Sequence, residues 1–369
     1  MANKNLTNAK RVKNDEFYTQ YGDIQKEIGA YLEYSPDVFR GKVVYCNCDD
    51  PFESNFFRYF VLNFNKLGLK QLITTSYKPS PVANTQLQLF GDDKTLAKSK
   101  GRPKINANKF IINEVRDIDG DGEFNLKDVA KQLKANKHNE WTPLDDDGDF
   151  RSDECINLLK QSDIVTTNPP FSLFREYVKQ LFDYNKKFVI IGNKNSVTYK
   201  EIFPLIKDNK MWSGKTEWSG GLWFVTMDNG DVDRVIDGVN MKNVSSVWFT
   251  NLDHGRRHQP LRGMTMEENL KYSKHKEIKG KKAYDKYDNY DAIEVSFTDA
   301  IPSDYNGVMG VPISFLDKYN PDQFEIVGMA EDNGKGFSGG IWDGKNPHCV
   351  INGENKFKRI FIKNKKVKI

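Results

Sequence analysis

The chain has 369 residues, 38% of them apolar and 29% charged, with 55 Lys and Arg against 51 Asp and Glu and a net charge of +4. That length accommodates two or three domains with a sizeable core. No apolar stretch approaches the ~20 residues of a membrane span, and the polar start, MANKNLTNAKRVKNDEF, has no apolar run of the kind a secretion signal needs. Four cysteines form no disulfide framework, so a cytoplasmic protein without a membrane partner is expected.

The charge is unevenly spread. Residues 114–149 hold 11 acidic and 5 basic side chains, net −6, while the last fifteen residues hold seven Lys or Arg and no acid. A basic body with one acidic block suits a polyanionic partner.

Residues 1–35 are polar and then helical in pattern, with Ile24, Ile28, Tyr31 and Leu32 on one face. Val43 to Cys46 is a short apolar run that ends in the turn-rich Asn47-Cys48-Asp49-Asp50-Pro51. Phe56, Phe57, Phe60, Val61, Phe64 and Leu67 follow at helical spacing, and Leu72 to Ser76 is β-branched and short. Strand, turn, helix, strand opens a doubly wound, Rossmann-like α/β sheet. Residues 78–108 lose periodicity and form an irregular excursion, and 114–149 form an acidic loop. Ile164 to Thr167 predicts a buried strand, Leu173 to Phe182 a helix, and Phe188 to Ile191 another strand. Beyond about residue 210 the alternation fades into aromatics, glycines and short β-like runs. The expected division is a catalytic domain over 1–230 and a mixed α+β, basic region over 231–369.

Asn168-Pro169-Pro170-Phe171 stands directly after the predicted strand 164–167. In an open parallel sheet ligands bind beyond the carboxyl ends of strands. There, the Asn168 amide oxygen and the Pro169 carbonyl can accept both hydrogens of one exocyclic NH2 group and aim its lone pair at an electrophile. The proline rings fix the backbone so that the acceptors converge, and Phe171 offers a plate for a planar base. The plainer alternative is a Pro-Pro turn that closes a strand.

This tetrad resembles the catalytic motif of S-adenosylmethionine-dependent amino-methyltransferases, and the wider chain is similar to the EcoRI-type adenine-specific DNA methyltransferases. The resemblance also rests on Asn14 to Thr19, Tyr45 to Pro51, Gly148 to Ser152, Asp163 to Ser172, Thr250 to Asp253, and Ala292 to Gly328. It covers nearly the whole chain outside 78–108, in the order of the gamma arrangement. It implies that Phe17, Tyr18 and Thr19 meet the methionine end of S-adenosylmethionine. Cys46, Asn47, Asp49 and Asp50 would form the turn that holds its charged groups, and Asp149 and Phe150 would meet its adenine. The usual glycine-rich turn is absent, and Thr75, Ser76 and Tyr77 stand where an acid for the ribose hydroxyls is usual. For Asp149, a helix cap after an acidic loop is the rival role.

One further pattern stands apart from that family, and a second lies within residues 231–369, the region that the resemblance assigns to DNA target recognition. Asp117, Asp119, Asp121, Glu123, Asn125 and Asp128, with Gly122 at the turn, match the oxygen spacing of a calcium loop; an Asp-Gly-rich solvated turn explains the same residues. Arg256, Arg257, Arg262, Lys274 and Lys276, interleaved with Tyr272, Tyr284 and Tyr287, are candidate contacts to double-stranded DNA. A solvated basic surface is the alternative for these. Gly101 to Lys104 reads as a linker, and Gly214-Lys215-Thr216 lacks the first glycine of a phosphate loop, Asn209 standing in its place.

The expected activity is methyl transfer from S-adenosylmethionine to N6 of a flipped-out adenine in DNA, as a monomer and beside a restriction endonuclease. Cytosine N4, RNA adenine or a non-enzymatic DNA-binding role are the rivals.

Overall fold

The computed structural model describes residues 18–48, 54–77, 107–118, 120, 124–135, 138–225, 232–330 and 348–365. The chain forms two compact units: residues 1–196 with 214–253, and residues 197–213 with 254–369. The expected boundary at residue 230 falls inside the first unit.

The first unit is built on a large mixed sheet. In chain order its strands are β1 (Tyr18–Thr19), β2 (Val43–Cys46), β3 (Gln71–Thr75), β4 (Asn108–Ile112), β5 (Glu140–Pro143), β6 (Ile164–Thr167) and β7 (Lys187–Asn193). After β8 (Trp212–Ser213), which belongs to the second unit, come β9 (Leu222–Val225), β10 (Arg234–Ile236), β11 (Val239–Val244) and β12 (Ser246–Thr250). Seven strands of the main sheet run in the order β5-β4-β3-β2-β6-β7-β12. The inner four, β3-β2-β6-β7, are mutually parallel, and β4, β5 and β12 join antiparallel. All four residues of β2 and of β6 are buried, as expected for parallel strands covered on both faces. A purely parallel sheet is therefore not what forms. β1, β9, β11 and β10 make a separate antiparallel sheet.

Helix Tyr21–Tyr34 turns Ile24, Ile28 and Tyr31 inward, and helix Asn55–Leu62 turns in Phe56, Phe57, Phe60 and Val61. The stripe expected to run unbroken from Phe56 to Leu67 is cut at Asn63, whose side chain donates to Tyr59 O, 2.8 Å, and a second short helix, Phe64–Leu67, follows. Helix Phe174–Asp183 packs close on β7 because Gly192 leaves room: a Cβ there would lie 2.4 Å from the Phe174 ring. Phe174 then reaches Phe249 of β12, ring centres 5.1 Å apart.

The second unit consists of short strands, 3-10 turns and short helices. β13 (Ile293–Glu294), β14 (Met309–Val311), β15 (Phe324–Met329) and β18 (Ile360–Asn364) form one sheet, in the order β13-β14-β18-β15; β16 (Val350–Ile351) and β17 (Glu354–Asn355) form a hairpin. A buried ion pair anchors it: Arg359 grips Glu294 through Nε and Nη2, and Tyr287 and Ser296 also donate to that carboxylate. A buried charge is tolerable when it is hydrogen-bonded on all sides in this way. Burial, and then the Glu294 charge, push the Tyr287 phenol far above its ordinary range.

Candidate active site

From β2 the chain moves to β3 on one side, and later to β6 on the other. The point between β2 and β6 is thus where strand order reverses, the place where ligands of open α/β sheets bind, beyond the carboxyl ends. Asn47 lies immediately past β2 and is 1% exposed; Asn168 lies immediately past β6 and is half-buried. Thr167 Oγ donates to the Asn47 main-chain oxygen, and Tyr177 Oη donates to Asn47 Oδ1. Cys46, buried on β2, places its Sγ 3.4 Å from Thr166 Oγ1, and its carbonyl accepts from Thr74 Oγ1 at 2.8 Å. The two turns are therefore fastened to one another at residue level.

Pro169 is buried, and the Pro170 carbonyl accepts from Leu173 N, 3.0 Å, to form the 3-10 turn Phe171–Leu173. The Pro170 oxygen is used in that turn. Phe171 is half-buried, one part against the main core.

Thr19 comes to the amino end of helix Asn55–Leu62, where Asn55 Nδ2 donates to the Thr19 carbonyl at 2.8 Å. The Thr19 side chain is 5% exposed, and its Oγ1 has no hydrogen-bond partner among the described residues. A buried hydroxyl left without a partner is costly unless a ligand supplies one, so this position fits the polar end of an amino-acid moiety such as that of S-adenosylmethionine. The amides of Phe56 and Phe57 at this helix start are taken by Ser54 Oγ, at 3.1 and 3.2 Å. Phe17, Asp49, Asp50 and the Tyr18 side chain lie outside the described residues.

Asp149 and Phe150 reach the same end of the sheet through a tight loop. Gly148 has φ +75°, and a Cβ there would stand 2.0 Å from the Ser76 main-chain oxygen at the end of β3. Only glycine fits. Asp149 is 4% exposed and is held by Arg151, Nε to Oδ1 at 3.0 Å and Nη2 to Oδ2 at 2.9 Å. The cap of the next helix, Asp153–Gln161, is Ser152, not Asp149. Burial, followed by the charges of Asp147 and Asp149, pushes the nearby Tyr77 phenol up to about 12. Phe150 meets Tyr177 edge to face with centres 5.1 Å apart. Tyr177 lies in the apolar stripe of the helix predicted over Leu173 to Phe182, a pattern that by itself signals core; the hydroxyl inside that stripe is the signal that sets it apart.

These residues carry a family assignment. The family model for the adenine-specific methyltransferase EcoRI matches residues 5–365. The chain belongs to that family. It is 43% identical to the Type II methyltransferase M.EcoRI of Escherichia coli, over 99% of this chain and 98% of that one. It is 36% identical to the Type II methyltransferase M.MpnI of Mycoplasma pneumoniae, over 86% and 83%. It is also 35% identical to M.MgeORF184P of Mycoplasma genitalium, over 86% and 84%. No solved structure matches significantly. As a member of the EcoRI family the protein is a methyltransferase, and use of S-adenosylmethionine goes with the family.

The candidate DNA contacts divide. Arg256 is bidentate to Asp317 at 2.8 and 2.9 Å, with the two side chains only 15% and 11% exposed. Arg257 is buried, bonded to Asn209 and stacked 3.6 Å from the Trp212 ring centre. Arg262 and Lys276 are exposed; Lys274 is exposed and pairs with Asp299 at 2.7 Å. Burial alone would raise the Asp299 carboxyl, but hydrogen bonds from Lys274 and His275 hold it below the usual carboxylate range. Tyr284 and Tyr287 are buried, whereas Tyr272 is exposed.

In the 117–128 loop, Asp128 accepts from Ile118 N and Asn125 N, both at 2.9 Å, and Asp117 accepts from Gly120 N at 2.7 Å. Asp119, Asp121 and Glu123 lie outside the described residues. Among the described residues no cluster of three or more His, Cys, Asp or Glu is arranged to hold a metal ion, and no helix among them is long and apolar enough to cross a membrane.

Proposed function

We propose that this enzyme methylates N6 of an adenine taken out of double-stranded DNA, with the base held at Asn168–Phe171 and S-adenosylmethionine held between the β2 turn and Asp149–Phe150. The observation that supports it is the joining of Asn47 and Asn168 across the reversal of strand order, through Thr167. This link supports reading the tetrad as an amine acceptor beside a buried polar turn. When bound, S-adenosylmethionine supplies an electrophilic methyl group on sulfur. Asn168 Oδ1 and the Pro169 carbonyl accept from the exocyclic amine and orient its lone pair, and Phe171 stacks on the ring. The residues do little bond-making themselves, and such positioning can contribute about 7–11 kcal/mol. A stacked base cannot reach this depth, so the nucleotide must leave the helix.

Arg262, Lys274 and Lys276 are assigned to DNA phosphates, and Arg256 and Arg257 to holding the second unit together. Asp128 closes the 117–128 loop with two main-chain amides, and calcium has no part in this proposal. A restriction endonuclease with the same target is the expected companion, and a cytoplasmic monomer the expected form.

Asn168→Ala tests the assignment. Methylation, read by sequencing modified bases in DNA from an expressing host, should be lost, while calorimetric affinity for S-adenosylmethionine changes less than threefold. Methylation at the unsubstituted level would overturn it.

A further inference from the structure

Helix Phe174–Asp183 starts three residues beyond Asn168–Phe171, and three of its side chains bond to the Asn47 turn or to the Phe150–Arg151 loop. Glu176 accepts from Arg151 Nη1 at 2.7 Å, and Arg151 in turn holds both oxygens of Asp149. Gln180 Nε2 donates to the Phe150 carbonyl at 3.0 Å. Tyr177, fully buried, donates its hydroxyl to Asn47 Oδ1 and sets its ring edge-on to Phe150. Tyr177 is thus a single side chain that touches both halves of the pocket, the β2 turn and the Asp149–Phe150 loop.

We infer that Tyr177 is a positioning residue for the cofactor: its hydroxyl fixes the Asn47 amide in one orientation, and its ring sets the plane of Phe150. This rests on the point between β2 and β6 being the S-adenosylmethionine site. The Asn47 carbonyl oxygen is committed to Thr167 and its Oδ1 to Tyr177, so the side-chain NH2 is the part of Asn47 turned to other uses. Without the phenol, the amide can rotate and present the wrong atom.

Tyr177→Phe removes the hydroxyl and keeps the ring. S-adenosylmethionine titrated into this variant should bind about fivefold to tenfold more weakly, the yield of one lost neutral hydrogen bond. The KM for the cofactor should rise more than kcat falls, and duplex affinity should be unchanged. Tyr31→Phe removes another fully buried hydroxyl, bonded to Glu27 at 2.8 Å, and should lower Tm with no change in cofactor affinity. In an Asn47→Ala background, adding Tyr177→Phe should weaken the cofactor no further. Unchanged affinity in Tyr177→Phe, or a full additional loss in the double variant, overturns the inference. If the unsubstituted enzyme fails to bind S-adenosylmethionine, the assignment of that site falls first, which is a different result.

Discussion

The hydroxyl of Thr167 donates to the main-chain oxygen of Asn47, joining the last residue of β6 to the first residue beyond β2. The turn expected to hold the cofactor and the tetrad expected to hold the base therefore cannot shift independently. Thr167→Val keeps the shape and removes the donor, which leaves a buried carbonyl unsatisfied at a cost of about 1–3 kcal/mol. We expect cofactor affinity and kcat to fall together in this variant and to recover in Thr167→Ser. Steady-state kinetics at several cofactor concentrations would show it; a Thr167→Val enzyme with normal constants would refute the link.

Phe171 packs in part on the main core, and in the proposed function the rest of its ring stacks on the base. Phe171→Leu retains most of the apolar volume and loses the aromatic plate. Base stacking contributes about 1–3 kcal/mol, so kcat/KM should fall about tenfold to a hundredfold with little change in Tm. Phe171→Ala should lower both. A leucine variant as active as the parent would show that Phe171 is only core.

Gly148 turns at φ +75° against Ser76, with no room for a methyl group. Gly148→Ala must displace the loop that carries Asp149 and Phe150, at about 2–4 kcal/mol for the clash and the strained backbone together. We predict a lower urea midpoint together with weakened S-adenosylmethionine binding. Retention of full affinity would mean that the loop does not line the cofactor site.

Cysteine reactivity offers a probe of the β2 turn. Cys46, Cys155 and Cys349 are buried, and Cys48 is half-buried. Burial pushes the Cys155 thiol up to about 11, so thiolate remains scarce there even at pH 9. Alkylation at pH 8 should label Cys48 first, and S-adenosylmethionine should slow that labelling. Mass spectrometry of the labelled peptides decides it, and equal labelling of Cys155 at that pH would contradict the burial described.

The basic side chains of the second unit should separate by function. Arg256→Ala removes the bidentate partner of the partly buried Asp317, so it should destabilise by up to ~3 kcal/mol. Arg262→Ala and Lys276→Ala, on exposed side chains, should leave Tm unchanged, and each should reduce the salt slope of duplex binding by about 0.9. Slopes identical to the parent in both would remove these residues from the DNA contact.

The central strands were legible because β2, β3, β6 and β7 are short, β-branched or aromatic, and bounded by turn residues. The tetrad stood out because two prolines directly after a buried strand suit either a pair of convergent acceptors or a strand-closing turn. The antiparallel partners were harder to see. β12 was visible as a β-like run, but β7 recruits it across a long stretch of sequence, and no local pattern encodes that pairing. β1, only two residues long, takes its strand character from β9. Arg256 and Arg257 show what charge counting leaves out: both lie in a basic run, and Asp317, Asn209 and Trp212, all remote in sequence, hold them in place. Asp128 shows the same limit for spacing, since holding the amides of Ile118 and Asn125 and ligating calcium ask for a carboxylate at one position.

The backbone leaves the sheet-bearing unit after Ser196, returns to it at Gly214 and departs again after Asp253. Three crossings mean that no single cut yields two intact halves: a fragment ending at 196 lacks β12, and one ending at 253 takes 197–213 away from its own body. Splicing two relatives at any single junction therefore mixes residues of both parents within at least one unit.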